Sequence, residues 1–280
     1  MIILAQFTPN QNFKYALMME TTPFNLPNPI PKQYVAFIDV LGFSDLVYKS
    51  QHVQLEQYFQ TVTEILSEMK RENQKIQSLN ISDSIILITP DDLNGLKRLI
   101  RAVRKIQRKL MFKNILIRGA VSYGEAFFDD AHNIIVGKGY IRAYQLEAEA
   151  IYPRVIIDPS IISHLAMDRT ELMDSLNKSE QFNSHSNYIF RHNASTNIEN
   201  DAIFIDYAYA LKEEDTKISP LITTVYNNIK KNLYSDQKFY AKYNWLRNYF
   251  VGCITQSLQL TADKSRISVL KDWIRKFERL

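Results

Sequence analysis

Apolar and polar residues alternate along this chain with two distinct periods. Tyr34-Val35-Ala36-Phe37-Ile38 is an unbroken β-prone run, the pattern of a strand buried on both faces. It ends in Asp39-Val40-Leu41-Gly42-Phe43-Ser44. A helical repeat then places Leu55, Tyr58/Phe59, Val62, Ile65/Leu66 and Met69 on one side, predicting a long helix from about Leu46 to Asn73. Two β-prone runs, residues 76–81 and 85–90, flank the polar Ser82-Asp83-Ser84 and predict a hairpin closed by Pro90. Asp91-Asp92 opens a second helix with Leu96, Leu99/Ile100, Val103, Ile106 and Leu110 on one face. Ile115-Leu116-Ile117-Arg118 starts a strand leading into a glycine-rich stretch. Residues 134–136 predict a short strand, 140–150 a helix, and 155–157 a strand stopped by Asp158-Pro159.

The predicted order is β-α-β-β-α-β with an αβ extension, the split βαβ pattern of ferredoxin-like α+β folds. Strands one and three of that pattern lie side by side at the centre of the sheet, flanked by the hairpin partner of the third. Five of the nine prolines (Pro9, Pro23, Pro27, Pro29 and Pro31) precede residue 32, predicting an irregular lead-in over 1–32. The core then covers 33–160. From Ile161 the chain turns helical, with amphipathic segments at 220–233, 237–258 and 262–280. An asparagine- and serine-rich loop at 177–186 and a strand at 202–207 interrupt it, giving a mostly helical C-terminal subdomain, 161–280. No internal repeat is present.

Composition narrows the function classes. At 46% hydrophobic and 23% charged residues over 280 positions, the chain can bury a sizeable core and is not disordered. No apolar run approaches the roughly 18 residues of a membrane span. The opening Met1 to Phe7 is too short and lacks the basic flank of a secretory leader. The lone Cys253 excludes an internal disulfide framework and a cysteine-based zinc site. It is expected to be buried, and the expected address is the cytoplasm. The five histidines show no i,i+4 pairing that would suggest zinc.

The net charge of +4 is too weak to demand a nucleic-acid partner and suits a small anionic substrate equally well. A basic helix face between Lys97 and Lys109 is expected to be solvated, and the strands lack the aromatic surface that stacks bases. No nucleic-acid or membrane partner is expected. Glycine is scarce, 7 in all, yet Gly119, Gly124, Gly137 and Gly139 cluster and Gly42 follows the first strand.

The chemistry converges on two aspartates. Asp39 closes the first strand and Asp83 sits in the hairpin turn, so the split βαβ topology lets them meet at one edge of the sheet. A carboxylate pair there can bind two hard divalent cations, which prefer to share such ligands with substrate phosphates. Gly42 and Ser44 permit main-chain N–H groups to approach a phosphate at the following helix. Alone, either aspartate reads more readily as a turn or helix cap.

In composite, these elements resemble a known family. Phe37-Ile38-Asp39-Val40-Leu41-Gly42-Phe43-Ser44 is similar to the first metal-binding element of class III nucleotide cyclases. Ser82-Asp83-Ser84 is similar to the second, with serine in place of the usual glycine. Arg118-Gly119-Ala120-Val121-Ser122-Tyr123-Gly124 resembles their following strand and turn. With Ala143-Tyr144-Gln145-Leu146-Glu147, the pattern most resembles the pyrimidine cyclases of bacterial Pycsar anti-phage systems, over about 34–158.

The resemblance implies a homodimer with active sites at its interface. One chain would hold two Mg²⁺ or Mn²⁺ ions through Asp39, Asp83 and Val40, and the other would present the helix after Gly139. It further implies UTP or CTP as substrate, cUMP or cCMP plus pyrophosphate as products, and a downstream effector protein that senses the cyclic nucleotide. Gly42, Phe43, Ser44, Ser82, Tyr144 and Gln145 become the candidate substrate contacts. The common asparagine and transition-state arginine of that helix have Ile141 and Gln145 at their positions here. The adenine-reading lysine has no counterpart around Gln77 and Leu79. Arg142 and Lys138 are the candidates for the missing positive charge. A catalytically degenerate nucleotide-binding or regulatory protein of the same fold is the alternative.

Overall fold

The computed structural model describes residues 23–71, 75–177, 202–208 and 218–280. Its centre is β1 (Lys32–Val40), whose apolar run is hydrogen-bonded on both edges. On one side lies β3 (Ser84–Pro90), followed by its hairpin partner β2 (Gln77–Ile81). On the other lies β4 (Ile117–Glu125), then β7 (Val155–Ile157), parallel to it. The resulting order, β2-β3-β1-β4-β7, is the predicted ferredoxin-like sheet with one added edge strand. Beyond β7, Ile157 N donates to Ile203 O and Ile205 N to Val155 O, so part of the predicted 202–207 strand continues the sheet.

Strand alternation divides the core in two. Tyr34, Ala36 and Ile38 pack beneath α2 (His52–Arg71) and α3 (Leu93–Met111). Tyr58, Val62, Ile65 and Met69 of α2, and the full predicted stripe of α3, are buried there. Burying each large side chain contributes about 1.5–3 kcal/mol. Val35 and Phe37 face the other way, toward Ala143 of α4 (Lys138–Glu149). After β7 come α5 (Ser160–His164) and α6 (Arg169–Asn177). The C-terminal helices α7 (Ile218–Asn232), α8 (Gln237–Leu260) and α9 (Lys264–Glu278) share a core with Ala120 of β4, Leu146 of α4 and Ile156 of β7. Cys253 is buried in that core, as expected.

Three local expectations change. The helix predicted from Leu46 is two helices, α1 (Phe43–Tyr48) and α2, because Ser50 turns the chain at φ 51°. The stretch from Arg118 to Gly124 is not a strand and turn but one continuous strand, β4. Gly124 lies against Gly139 of α4, where a Cβ would come within 3.1 Å of the facing backbone, so the pair lets strand and helix touch. A short strand before residue 134 escaped the periodicity: β5 (Phe127–Asp129) pairs with β6 (Ile134–Val136). Residues 1–22 of the predicted lead-in, the end of the predicted first helix and nearly all of the polar loop at 177–186 lie outside the described residues.

Candidate active site

Asp39 is the penultimate residue of β1, on the same side of the sheet as Phe37. Its register partners are Ser84 of β3 and Arg118 of β4. Asp83 immediately precedes Ser84 in the two-residue turn between β2 and β3. The two carboxylates therefore converge at one end of the sheet, as the topology predicts. Burial, then the facing Asp83 carboxylate, then Glu147, push the Asp39 carboxyl up to about 7, while Arg118 opposes the shift. A pair of oxygens this costly to charge is stabilised by a bound cation.

The hairpin turn carries its own strain. Ser82 adopts φ 57°, the left-handed conformation that glycine takes without penalty. That position is where serine replaces the glycine of the resembling pattern. Gly42 adopts φ 79°, ψ 23° as the N-cap of α1, with open space where a Cβ would be. Ser44 is exposed next to it. The half-buried Phe43 ring packs edge-on against Tyr58 and Phe59. Val40 ends β1, with its side chain buried.

Two residues absent from the sequence-based site stand beside the aspartates. Arg118 forms an ion pair with Glu147, a buried carboxylate on α4. Burial raises the Glu147 carboxyl and Arg118 counteracts it. The signal for Glu147 was its spacing: Ala143, Leu146, Glu147 and Ala150 form one i,i+3,i+4,i+7 stripe, and all four are buried. A carboxylate on an otherwise apolar stripe calls for a cationic partner.

The α4 candidates take other partners within the chain. The Arg142 guanidinium donates from Nε to Asp158 Oδ2 at 2.9 Å, and Asp158 is only 2% exposed. Lys138 Nζ lies 3.1 Å from Glu125 Oε2, with its side chain 84% exposed. Gly139, adjacent to Lys138, touches Gly124, near the end of β4 away from Arg118, so a single chain does not bring Lys138 to its own Asp39. Tyr144 is 57% exposed and sets its ring edge-on against Phe37, with centroids 5.3 Å apart. Gln145 and Ile141 are exposed beside it.

The two facing carboxylates of Asp39 and Asp83 are hard oxygen donors and fit a hard divalent cation. Arg118 is paired with Glu147, and its opposition does not prevent the Asp39 carboxyl from being raised, so a cation at the aspartates would compete with a proton. Among the described residues no group of three or more His, Cys, Asp or Glu side chains gathers around a single point. A cation here would complete its shell with water and substrate oxygens, the arrangement Mg²⁺ favours.

No protein-family model matches the chain, and no curated protein sequence matches it. Solved structures similar to it include three cyclase domains. The adenylyl cyclase CyaB from P. aeruginosa is 17% identical, over 48% of this chain and 80% of that one, with a TM-score of 0.38. The guanylate cyclase domain of RhGC from Catenaria anguillulae in complex with GTP is 17% identical, over 49% and 82%, with a TM-score of 0.37. The guanylyl cyclase Cya2 is 11% identical, over 62% and 90%, with a TM-score of 0.38. Among the described residues no helix is long and apolar enough to cross a membrane.

Proposed function

We propose that the chain is a nucleotide cyclase that converts a pyrimidine nucleoside triphosphate, UTP or CTP, into its 3′,5′-cyclic monophosphate and pyrophosphate. The observation that carries this reading is the convergence of Asp39 and Asp83 at the end of β1 and the β2–β3 turn. Two Mg²⁺ or Mn²⁺ ions held there would lower the pKa of the attacking 3′-hydroxyl and offset charge on the departing pyrophosphate. Main-chain N–H groups of Gly42, Phe43 and Ser44 would orient the phosphates, with Ser82 at the rim. Arg118, fixed by Glu147, would keep the Asp39 carboxylate aimed at the site.

The exposed face of α4 would serve a second protomer, with Tyr144 and Gln145 against the base and Lys138 or Arg142 toward the phosphates. An active site shared between two copies accounts for Lys138 lying remote from its own aspartates. Gln77 and Leu79, in place of a lysine on β2, favour a base other than adenine. The product would act as a second messenger read by a separate effector in anti-phage defence.

The test is incubation of purified protein with each of the four nucleoside triphosphates and Mn²⁺, with detection of cyclic nucleotide and pyrophosphate. Product is expected from UTP or CTP and from neither Asp39→Asn nor Asp83→Asn. Absence of product from all four would overturn the enzyme reading. It would favour the second one, a degenerate cyclase-fold binder, to which the Arg142–Asp158 pair and the loss of the common helix residues already lend weight.

A further inference from the structure

A second cleft borders the loop that follows β1. It encloses about 480 Å³, within the ~300–1,000 Å³ usual for small-molecule sites, and neither Asp39 nor Asp83 lines it. It is formed where α7 and α8 meet the end of the sheet, and its wall includes Lys49, Asn114, Asn228, Lys231, Phe239 and Tyr243.

The chemistry of these side chains is complementary in three ways. Phe239 and Tyr243 are one turn apart on α8 and offer an aromatic wall to a flat ring. Asn228 is 9% exposed and held in place by Asn232, whose Nδ2 donates to Asn228 Oδ1 at 2.7 Å and to its main-chain oxygen at 2.8 Å. With its oxygen engaged, the Asn228 amide nitrogen remains a donor for a ligand. Lys49 caps the C-terminus of α1 and Lys231 stands on α7, and both side chains are exposed. Asp45 lies 3.8 Å from Lys49 and offsets only one of the two charges. A ring platform, a fixed amide and a net positive charge in one concavity match one chemical class.

We infer that this cleft is a binding site for a nucleoside monophosphate, distinct from the proposed catalytic centre. The base lies against Phe239 and Tyr243, Asn228 and Asn114 meet its polar edge, and Lys231 and Lys49 receive the phosphate. Val40, Leu41 and Gly42 also line the cleft, so an occupant touches the same loop that would approach the triphosphate. Binding at the two sites is thereby coupled, a consequence that rests on the cyclase reading, whereas the binding itself does not.

The test is isothermal titration of the full chain in EDTA with AMP, GMP, CMP and UMP, and with inorganic phosphate alone. At least one nucleotide is expected to bind once per chain, about tenfold more weakly in Lys231→Glu and in Asn228→Leu, and unchanged in Asp39→Asn. Thermal melts check the fold. If Asn228→Leu unfolds, the exposed Lys231→Glu and Lys49→Glu decide the matter. Binding by none of the four, binding indifferent to the cleft variants, or binding lost in Asp39→Asn would each overturn the site. Because the assay contains no triphosphate and no divalent metal, failure of the cyclase reading leaves its result unchanged. For the coupling, the saturating monophosphate is expected to shift KM for the triphosphate about fivefold in the wild type and not in Lys231→Glu. An unchanged KM overturns the coupling alone.

Discussion

Arg118 and Glu147 form an ion pair between β4 and α4, and Arg118 is also the register partner of Asp39 across the β1–β4 ladder. The pair links the helix to the end of the sheet where the two aspartates meet. The pair holds the guanidinium in place, and Arg118 still opposes part of the rise in the Asp39 carboxyl. Removing the glutamate charge should therefore act on the site through Arg118.

Glu147→Gln is expected to lower metal affinity before it lowers the maximal rate. An uncompensated Arg118 turns toward Asp39 and Asp83 and competes with a divalent cation for them. The apparent KM for Mn²⁺ in the cyclase assay should rise about tenfold while the rate at saturating Mn²⁺ is largely recovered. Stability should fall by about 1.5–3 kcal/mol from the lost charge-assisted contact. An unchanged metal requirement would limit the pair to a structural role.

The raised Asp39 carboxyl gives metal-free protein a characteristic pH dependence. Its folded-state value of about 7 lies above the unfolded value of 3.8, so the native state binds the proton more tightly. Stability from this group is therefore fully present below about pH 4 and lost as pH rises through 7. In EDTA, the melting temperature should be lower at pH 7.5 than at pH 5.5, and Asp39→Asn should flatten that slope. Mg²⁺ should raise the melting temperature at pH 7.5 and have little effect at pH 5.5, where the proton occupies the site.

Ser82→Gly is expected to stabilise the protein. A serine at φ 57° bears a left-handed penalty of about 1 kcal/mol that glycine avoids, although added freedom in the unfolded chain returns part of it. Denaturant melts should show a gain of a few tenths to about 1 kcal/mol. A loss would mean that the serine hydroxyl supports the turn more than the strain opposes it.

The central sheet was legible because β1, β3 and the stripes of α2 and α3 follow the two elementary periods without interruption. The Asp39–Asp83 convergence was legible as well, since it follows from the strand order alone. Arg118 and Glu147 were not assigned, because their partnership spans β4 and α4, and no local period encodes a contact between side chains 29 positions apart. The sequence places Gly124 in a turn and Gly139 at the opening of a helix, and their clustering reflects a strand and a helix in contact. The cleft beside α7 was invisible for a related reason. Asn228 and Lys231 lie in the amphipathic segment 220–233, and only the fold brings α8 and the β1–α1 loop around them.

The last question is which cation of α4 serves the phosphates. Arg142 is 46% exposed but bound to Asp158, which also accepts from Ser160 N at 3.1 Å. To reach a substrate it would have to abandon a buried carboxylate, at about 1.5–3 kcal/mol for a hydrogen bond to a charged group. Lys138 spends little to leave the exposed rim of Glu125. Arg142→Gln should therefore lower the melting temperature by several degrees. Lys138→Ala should leave melting unchanged and reduce kcat about 100-fold at saturating nucleotide, the effect of removing one phosphate-stabilising donor. Heterodimers that pair Lys138→Ala with Asp39→Asn would decide whether the lysine acts across the interface. With all site residues intact in one of their two shared sites, about half the wild-type rate returns only if it does. If Arg142→Gln abolishes kcat while Lys138→Ala is fully active, the phosphate charge belongs to Arg142 instead.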